Sequence, residues 1–177
     1  CHCLTEDMEF SMKCLSHGIR TCWVHDAIIY DEKPLTFMAS WRQRKRWAQG
    51  QFDCSERYIP ILMKEGFKRH SIVVLDGIMQ LLQNYFLLIS AFYLVMTYIN
   101  MFYPCFTVVL YNDALVPRQF WSVLGTIQYV LPLIVLLQIE VPAKIYLYWL
   151  IYPVFMYSWV PVTFLGWIHR HEKQWVH

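Results

Sequence analysis

Thr5-Glu6-Asp7 and, about 35 residues later, Trp41-Arg42-Gln43-Arg44-Lys45-Arg46-Trp47 are the two stretches that decide the fold. If the second stretch is helical, Gln43, Arg46 and Trp47 fall at positions i, i+3 and i+4 and share one face. That face offers an amide, a guanidinium fork that can bind a phosphate, and a flat ring on which a sugar can stack. Asp7 adds a carboxylate that could act as a base.

The chain is polar at its start and strongly apolar after it. It has 177 residues, of which 57% are hydrophobic and 16% charged, whereas soluble domains carry about 25% charged residues. Twenty of the 28 charged residues lie in positions 1–70, and stretches 77–112, 119–139 and 145–168 carry none. Such lengths predict membrane-spanning helices. The net charge of +2 gives no reason to expect nucleic acid as a partner.

Local patterns in the polar part predict alternating helix and strand. Thr5 can cap a helix that ends near Gly18. Short β-branched and aromatic runs at 19–24 and 27–31 predict two strands. They precede a predicted helix over about 35–54. This helix carries the face formed by Gln43, Arg46 and Trp47, which we call the basic-aromatic face.

The cysteines indicate a reducing compartment. Six are present, at positions 1, 3, 14, 22, 54 and 105, without the regular spacing of a secreted disulfide scaffold. Cys1-His2-Cys3 lacks the usual spacing of zinc ligands, so we predict no metal site within the chain.

Thr5-Glu6-Asp7, the Q-x-x-R-W match at Gln43-Arg44-Lys45-Arg46-Trp47 and the apolar stretches together resemble the C-terminal part of a processive family 2 glycosyltransferase. That group includes the cellulose, hyaluronan, chitin and poly-N-acetylglucosamine synthases. The resemblance implies an α/β fold, namely the C-terminal part of a GT-A nucleotide-sugar transferase domain. Interfacial helices and an all-α transmembrane region would follow it.

The resemblance also implies roles for single residues. Asp7 would be the general base, taking the proton of the acceptor hydroxyl as it attacks the anomeric carbon, with inversion. Glu6 would help to bind substrate beside it. Gln43 and Arg46 would hold the nucleotide diphosphate, and Trp47 would stack on the acceptor end of the glycan.

Simpler roles remain open for the same residues. The acidic pair could only complement the dipole of its helix, and Trp47 could be an ordinary core or interfacial ring. We expect Arg42, Arg44 and Lys45 to face away from the site, toward anionic lipid. Gly50 would leave room beside the stack on Trp47.

These expectations divide the chain into four parts. They are the catalytic-domain part at 1–54, an interfacial amphipathic segment at 55–75, transmembrane helices at 76–168 and a cytoplasmic tail at 169–177. Stretch 77–112 could cross once or twice, which gives three or four spans. The positive-inside rule favours four, because the basic tail then lies on the side of the polar part.

The expected function is that of an inverting membrane glycosyltransferase. It would transfer a sugar from a UDP-sugar to the end of a growing β-linked polysaccharide and help to translocate the polymer, with Trp149 and Trp159 as channel candidates. Mg²⁺ or Mn²⁺ is expected in the full-length enzyme. Its ligands and the donor pocket would lie upstream, so the fragment alone should be inactive.

The expected partners are the UDP-sugar donor, the glycan acceptor and the lipid bilayer. The expected location is the plasma membrane, with the catalytic part in the cytoplasm. Two alternatives stay open, a non-processive polyprenyl-phosphate glycosyltransferase and a non-enzymatic channel or scaffold subunit. Sugar, linkage and oligomeric state are not indicated.

Overall fold

The computed structural model describes residues 3–19, 21–22, 24–69, 71–103, 118–139 and 141–172. Within these residues the chain forms six helices, which are α1 (Glu6–Ser16), α2 (Phe37–Arg69), α3 (Ile72–Phe102), α4 (Arg118–Leu137), α5 (Lys144–Tyr157) and α6 (Trp159–Ile168). The chain divides into two compact units. The first unit comprises residues 1–88 and 160–177, and the second comprises residues 89–159.

A buried apolar cluster holds the first unit together. It consists of Met12 from α1, Cys54 and Leu62 from α2, and Val74 and Leu81 from α3. Each of these residues is at most 3% exposed. Full burial of an aliphatic side chain of this size contributes about 1.5–3 kcal/mol. The three helices therefore share one core.

The predicted α/β fold is wrong for the described part of the chain. The sequence predicts strands at 19–24 and 27–31, yet the described residues of both stretches form no strand, and none occurs elsewhere in the described ranges. Ile29 and Tyr30 are 87% and 93% exposed. β-branched and aromatic residues favour a strand only where a neighbouring strand pairs with it and a packed face covers it. The described residues supply neither a pairing strand nor a packed face for these two stretches. The first unit is therefore helical and not part of a GT-A sheet.

Both predicted ends of α1 are confirmed. The helix begins directly after Thr5, and Gly18 follows its end with a φ of 79°, which glycine adopts without steric cost. The Gly18 N–H donates to the Leu15 carbonyl and the Ile19 N–H to the Cys14 carbonyl, each over 2.9 Å. Thr5 makes no side-chain cap. Its hydroxyl lies instead beside two thiols, described below.

The helix that carries the basic-aromatic face is longer than predicted. α2 runs over 33 residues with Pro60 inside it, so most of the predicted interfacial segment at 55–75 is a continuation of this helix. The Pro60 ring lacks the N–H that would bond the carbonyl of Glu56. α2 crosses the predicted boundary at residue 54 without a break. The predicted change at this boundary, from a catalytic-domain part to an interfacial segment, stays a prediction.

Among the described residues, two helical segments are long and apolar enough to cross a membrane. They are Ile72–Asn100, with 29 residues, and Lys144–Ile168, with 25 residues. Only 22% and 17% of their most apolar windows are buried, unlike the core helix of a soluble protein. The second crossing predicted for the end of stretch 77–112 lies mostly outside the described residues, which stop at residue 103 and resume at residue 118. The prediction of three or four spans therefore stays open.

The second unit is held together by ring contacts between α4 and α5. The rings of Tyr129 and Trp149 lie 4.1 Å apart between centroids, and the Trp149 indole N–H donates to the Tyr129 carbonyl over 3.2 Å. The Tyr146 hydroxyl donates to the Leu136 carbonyl over 3.4 Å. These contacts place two apolar helices side by side.

Candidate active site

The start of α1 and the middle of α2 meet at Thr5 and Gly50. A Cβ atom on Gly50 would lie 2.5 Å from Thr5 Oγ1 and 2.9 Å from Thr5 N, closer than packed atoms can approach. Only a glycine therefore lets the two segments touch at this depth. Gly50 was expected to leave room beside Trp47, and the structure fills that room with Thr5.

This contact brings the two sequence motifs to adjacent turns. Gly50 follows Trp47 by three residues on α2, so the two lie on neighbouring positions of one helix face. Asp7 follows Thr5 by two residues at the start of α1. The acidic motif and the Q-x-x-R-W motif, distant in sequence, are thus neighbours around one junction.

A network of charged groups fixes α1 against α2. Glu9 is 6% exposed, and its carboxylate accepts the Cys3 backbone N–H over 3.1 Å. Arg57 Nη1 lies 3.3 Å from Glu9 Oε1, and the same guanidinium binds Asp53 one turn earlier on α2. A buried carboxylate is stable only when it is paired in this way. The Glu9–Arg57 pair therefore limits rotation of α1 about its axis.

Thiols line the same junction. Cys3 Sγ lies 3.2 Å from Cys54 Sγ and 3.1 Å from the Gly50 carbonyl oxygen, to which it donates when it is protonated. The hydrogen bond from the Cys54 thiol lowers the pKa of Cys3 to about 6, with Thr5 and the Arg57 charge acting in the same direction and burial opposing them. The bond to Cys3, together with burial, raises the pKa of Cys54. No sequence pattern had indicated this pair.

The acidic residues of the predicted site are accessible. Glu6 and Asp7 both lie in the first turn of α1 and are exposed. Asp7 Oδ1 accepts the Met8 backbone N–H over 2.8 Å, which fixes the orientation of the carboxylate. An acceptor hydroxyl could reach a carboxylate in such a position.

The Q-x-x-R-W residues lie on one face of α2, and Gln43 borders a cleft. This cleft has a volume of about 460 Å³ and is lined by Gln43 and Ala39 of α2 together with residues 32–36 of the preceding segment. Arg46 is half-buried, and Trp47 is 40% exposed. The individual roles predicted for Gln43, Arg46 and Trp47 stay predictions.

The outward orientation predicted for Arg44 is wrong. Arg44 is only 2% exposed, its Nε donates to the Ser40 carbonyl over 3.3 Å, and its guanidinium lies 5.7 Å above the Phe37 ring. Burial lowers the pKa of this guanidinium. Arg44 therefore packs inside the first unit, whereas Arg42 is exposed.

The last helix packs against α2 at Ala48 and Gln49, a contact that sequence reasoning missed. A Cβ atom on Gly166 of α6 would lie 2.5 Å from Ala48 Cβ. Gln49 Nε2 donates to the His169 carbonyl over 2.9 Å, and Arg170 pairs with Glu56 over 2.7 Å. Small residues on two helices that meet are the signal that could have revealed the contact.

The described residues do not fit a divalent metal ion. They contain no group of three or more His, Cys, Asp or Glu side chains that could hold one. The Cys1-His2-Cys3 stretch lies partly outside the described residues. The expectation of Mg²⁺ or Mn²⁺ in the full-length enzyme stays a prediction about residues upstream.

Trp149, one of the two channel candidates, borders a groove in the second unit. The groove has a volume of about 710 Å³, and its lining is Leu131, Pro132, Val135, Leu136, Ile145, Tyr148, Trp149, Ile151, Tyr152 and Phe155. Its walls are therefore apolar apart from two tyrosine hydroxyls and an indole N–H that already has a partner. A polymer-conducting role for Trp149 or Trp159 stays a prediction.

The comparisons with known proteins identify one family. The model of the family described as Glycosyl transferase family group 2 matches residues 2–167 of the chain. No curated protein and no solved structure gives a significant match. The matched range includes both sequence motifs, the first apolar segment and all but the last residue of the second.

Proposed function

The chain belongs to Glycosyl transferase family group 2, and from this premise we propose that it is part of an inverting membrane glycosyltransferase. It transfers a sugar from a UDP-sugar to the end of a growing β-linked polysaccharide. The observation that carries the proposal is the Thr5–Gly50 contact, because it brings the acidic motif and the Q-x-x-R-W helix to one junction.

Asp7 acts as the general base in this proposal. Its exposed carboxylate accepts the proton of the acceptor hydroxyl while that oxygen attacks the anomeric carbon. The attack comes from the face opposite the leaving diphosphate, so the configuration at that carbon inverts. Glu6, exposed in the same helical turn, binds the acceptor beside it.

Gln43 and Arg46 bind the departing nucleotide diphosphate. A guanidinium presents two parallel N–H donors to phosphate oxygens, and such charge-assisted bonds are about twice as strong as neutral ones. They stabilise the negative charge that builds on the leaving group. The cleft beside Gln43 gives a nucleotide a place to enter.

Trp47 holds the acceptor sugar. Its ring is 40% exposed although its helix is packed on both sides, by α1 at Gly50 and by α6 at Ala48. A rigid exposed indole offers a flat apolar face to the C–H groups of a sugar. Packing of α2 fixes the height of that face relative to Asp7.

The membrane part anchors the enzyme and passes on the polymer. Two helical segments could cross a bilayer, and we propose the plasma membrane, with the catalytic part in the cytoplasm. A divalent cation, Mg²⁺ or Mn²⁺, would neutralise the donor diphosphate in the full-length enzyme through residues outside this chain. Translocation by way of Trp149 and Trp159 belongs to the same proposal.

The two alternatives make different predictions for the α2 face. A polyprenyl-phosphate glycosyltransferase needs no aromatic platform for a long glycan, and a channel or scaffold subunit needs neither Asp7 nor Arg46. The polysaccharide enzyme is supported by an exposed carboxylate two residues after Thr5, and by a guanidinium and an exposed indole within about one turn of Gly50, which Thr5 contacts.

Asp7→Asn in the full-length protein tests the proposal. Sugar incorporation from a panel of UDP-glucose, UDP-N-acetylglucosamine and UDP-glucuronate into polymer should fall by about 10²–10⁴-fold, because an amide cannot accept the proton. Asp26→Asn, at an exposed aspartate in a turn, is the matched control and should leave the rate unchanged. Equal rates for both variants would remove the enzyme assignment as stated.

A further inference from the structure

Cys3 and Cys54 form a thiol pair at the junction of the two motif segments. Their Sγ atoms lie 3.2 Å apart although the residues are 51 positions apart in sequence. Both are free thiols. Thr5 Oγ1 lies 3.4 Å from Cys3 Sγ and 3.9 Å from Cys54 Sγ, so the pair is held in a defined polar site.

The two thiols differ in accessibility and in protonation. Cys54 is fully buried, whereas Cys3 is partly exposed, so a reagent in solution reaches Cys3 first. With its pKa lowered to about 6, Cys3 is a thiolate at neutral pH, which is the nucleophilic form. Cys54 keeps its proton and lies within reach of any adduct on Cys3. This division of roles is that of an attacking and a resolving thiol.

We propose that Cys3 and Cys54 are a redox-active dithiol, which peroxides or small-molecule disulfides convert into a disulfide bond between the start of α1 and α2. With hydrogen peroxide, the Cys3 thiolate attacks one oxygen and forms a sulfenic acid and hydroxide. The Cys54 sulfur then attacks the sulfenic sulfur, and the disulfide and a water molecule form. The hydroxide takes the proton that Cys3 released earlier, so two thiols and one peroxide give one disulfide and two waters.

The geometry allows the bond with a small movement. A disulfide requires a sulfur–sulfur distance of about 2.05 Å, so the two atoms must approach by about 1 Å. Cys3 lies ahead of the first turn of α1, where the backbone can shift without breaking helical hydrogen bonds. Cys22 is an exposed free cysteine on the segment between α1 and α2. It serves as an internal reference for the oxidation of Cys3 and Cys54.

The disulfide has a consequence that rests on the proposed function. It would tether residue 3 to α2 and change the Thr5–Gly50 contact, two residues before Asp7. Because general-base catalysis depends on sub-ångström placement, oxidation should lower the rate of sugar transfer. Reduction of the disulfide should restore it.

Peptide mapping of the full-length protein tests the dithiol independently of activity. The protein is treated in membranes with hydrogen peroxide or oxidised glutathione, free thiols are alkylated, and digests are analysed without reductant. A Cys3–Cys54 linked peptide should form in the wild type and in Cys22→Ser, but not in Cys3→Ser. In Cys54→Ser, Cys3 should be trapped as a sulfenic acid or as a glutathione adduct.

Two results would overturn the dithiol. One is that Cys3 and Cys54 are both alkylated after oxidation, and the other is that Cys3 links to a different cysteine. The wild-type map decides these cases even if a serine variant fails to fold. Transfer rates measured on the same samples test the consequence, and a disulfide without a rate change would refute it. A reduced wild type that transfers no sugar would contradict the proposed function and leave the mapping result valid.

Discussion

Thr5 and Gly50 are in contact across the junction of α1 and α2, and a single added methyl group on Gly50 would lie 2.5 Å from Thr5 Oγ1. The contact joins the segment that carries Asp7 to the helix that carries Gln43, Arg46 and Trp47. The contact depends on the absence of a Cβ atom at Gly50, and a flexible side chain at that position could not move aside to restore it. The junction is therefore sensitive to very small substitutions.

Gly50→Ala should destabilise the protein and lower sugar transfer. The new Cβ atom would collide with the side chain and backbone N of Thr5, and overpacking of this kind costs about 1–3 kcal/mol. The thermal midpoint and the transfer rate of the full-length protein report the effect. Gly125→Ala is the matched control, since a Cβ atom there meets no atom within 4 Å. Equal behaviour of the two variants would contradict the close contact.

Arg57→Ala should loosen α1 from α2. It leaves the buried Glu9 carboxylate without this partner, and because the Arg57 side chain is 32% exposed, we expect a loss of about 1–3 kcal/mol. Denaturant unfolding of the variant measures the loss. Lys33→Ala breaks the exposed ion pair with Asp31 and should leave stability essentially unchanged. Similar losses for both variants would show that the Glu9–Arg57 pair does not hold α1.

Arg46→Lys should slow sugar transfer although it keeps the positive charge. An ammonium cannot present the two parallel donors of a guanidinium, so diphosphate binding in the transition state weakens, by about tenfold or more in kcat/KM. Arg42→Lys, on the exposed side of the same helix, should leave kcat/KM unchanged. A reversed order of effects would move the diphosphate to another face of α2.

Alkylation of Cys3 should follow an unusually low pKa. The thiolate is the reactive form, so the iodoacetamide rate at Cys3 should level off well above pH 6, reach half of that plateau near pH 6 and fall further at lower pH. Cys54→Ala removes the hydrogen bond that contributes most to the lowering, and the midpoint should then move to higher pH. Mass spectrometry of quenched samples gives both curves. An unchanged midpoint in Cys54→Ala would contradict the assigned cause.

Local signals predicted the helices well. Thr5 and Gly18 mark the ends of α1, although Thr5 makes no side-chain cap, because the preference of a residue for a helix end or for left-handed backbone is a property of that single residue. The i, i+3, i+4 spacing of Gln43, Arg46 and Trp47 likewise requires only the helix itself. The family resemblance rested on these same residues, and the match over residues 2–167 supports it at the level of glycosyltransferases.

Features that depend on distant partners were not predictable in this way. Residues 27–31 have strand-forming side chains, but a strand exists only beside another strand. Burial of Arg44 beside Phe37, and the contacts at Gly166 and Gly50, arise where segments far apart in sequence meet. Helical spacing shows which residues share a face of a helix, but it does not show which face other segments will cover.

One measurement tests the central claim most directly, a cryo-EM structure of the full-length protein with bound UDP and an oligosaccharide acceptor. Our account predicts the terminal sugar stacked on the Trp47 ring, with its attacking hydroxyl about 2.6–3.2 Å from an Asp7 carboxylate oxygen. An acceptor bound away from Trp47, or an Asp7 carboxylate separated from that hydroxyl by packed backbone, would contradict it.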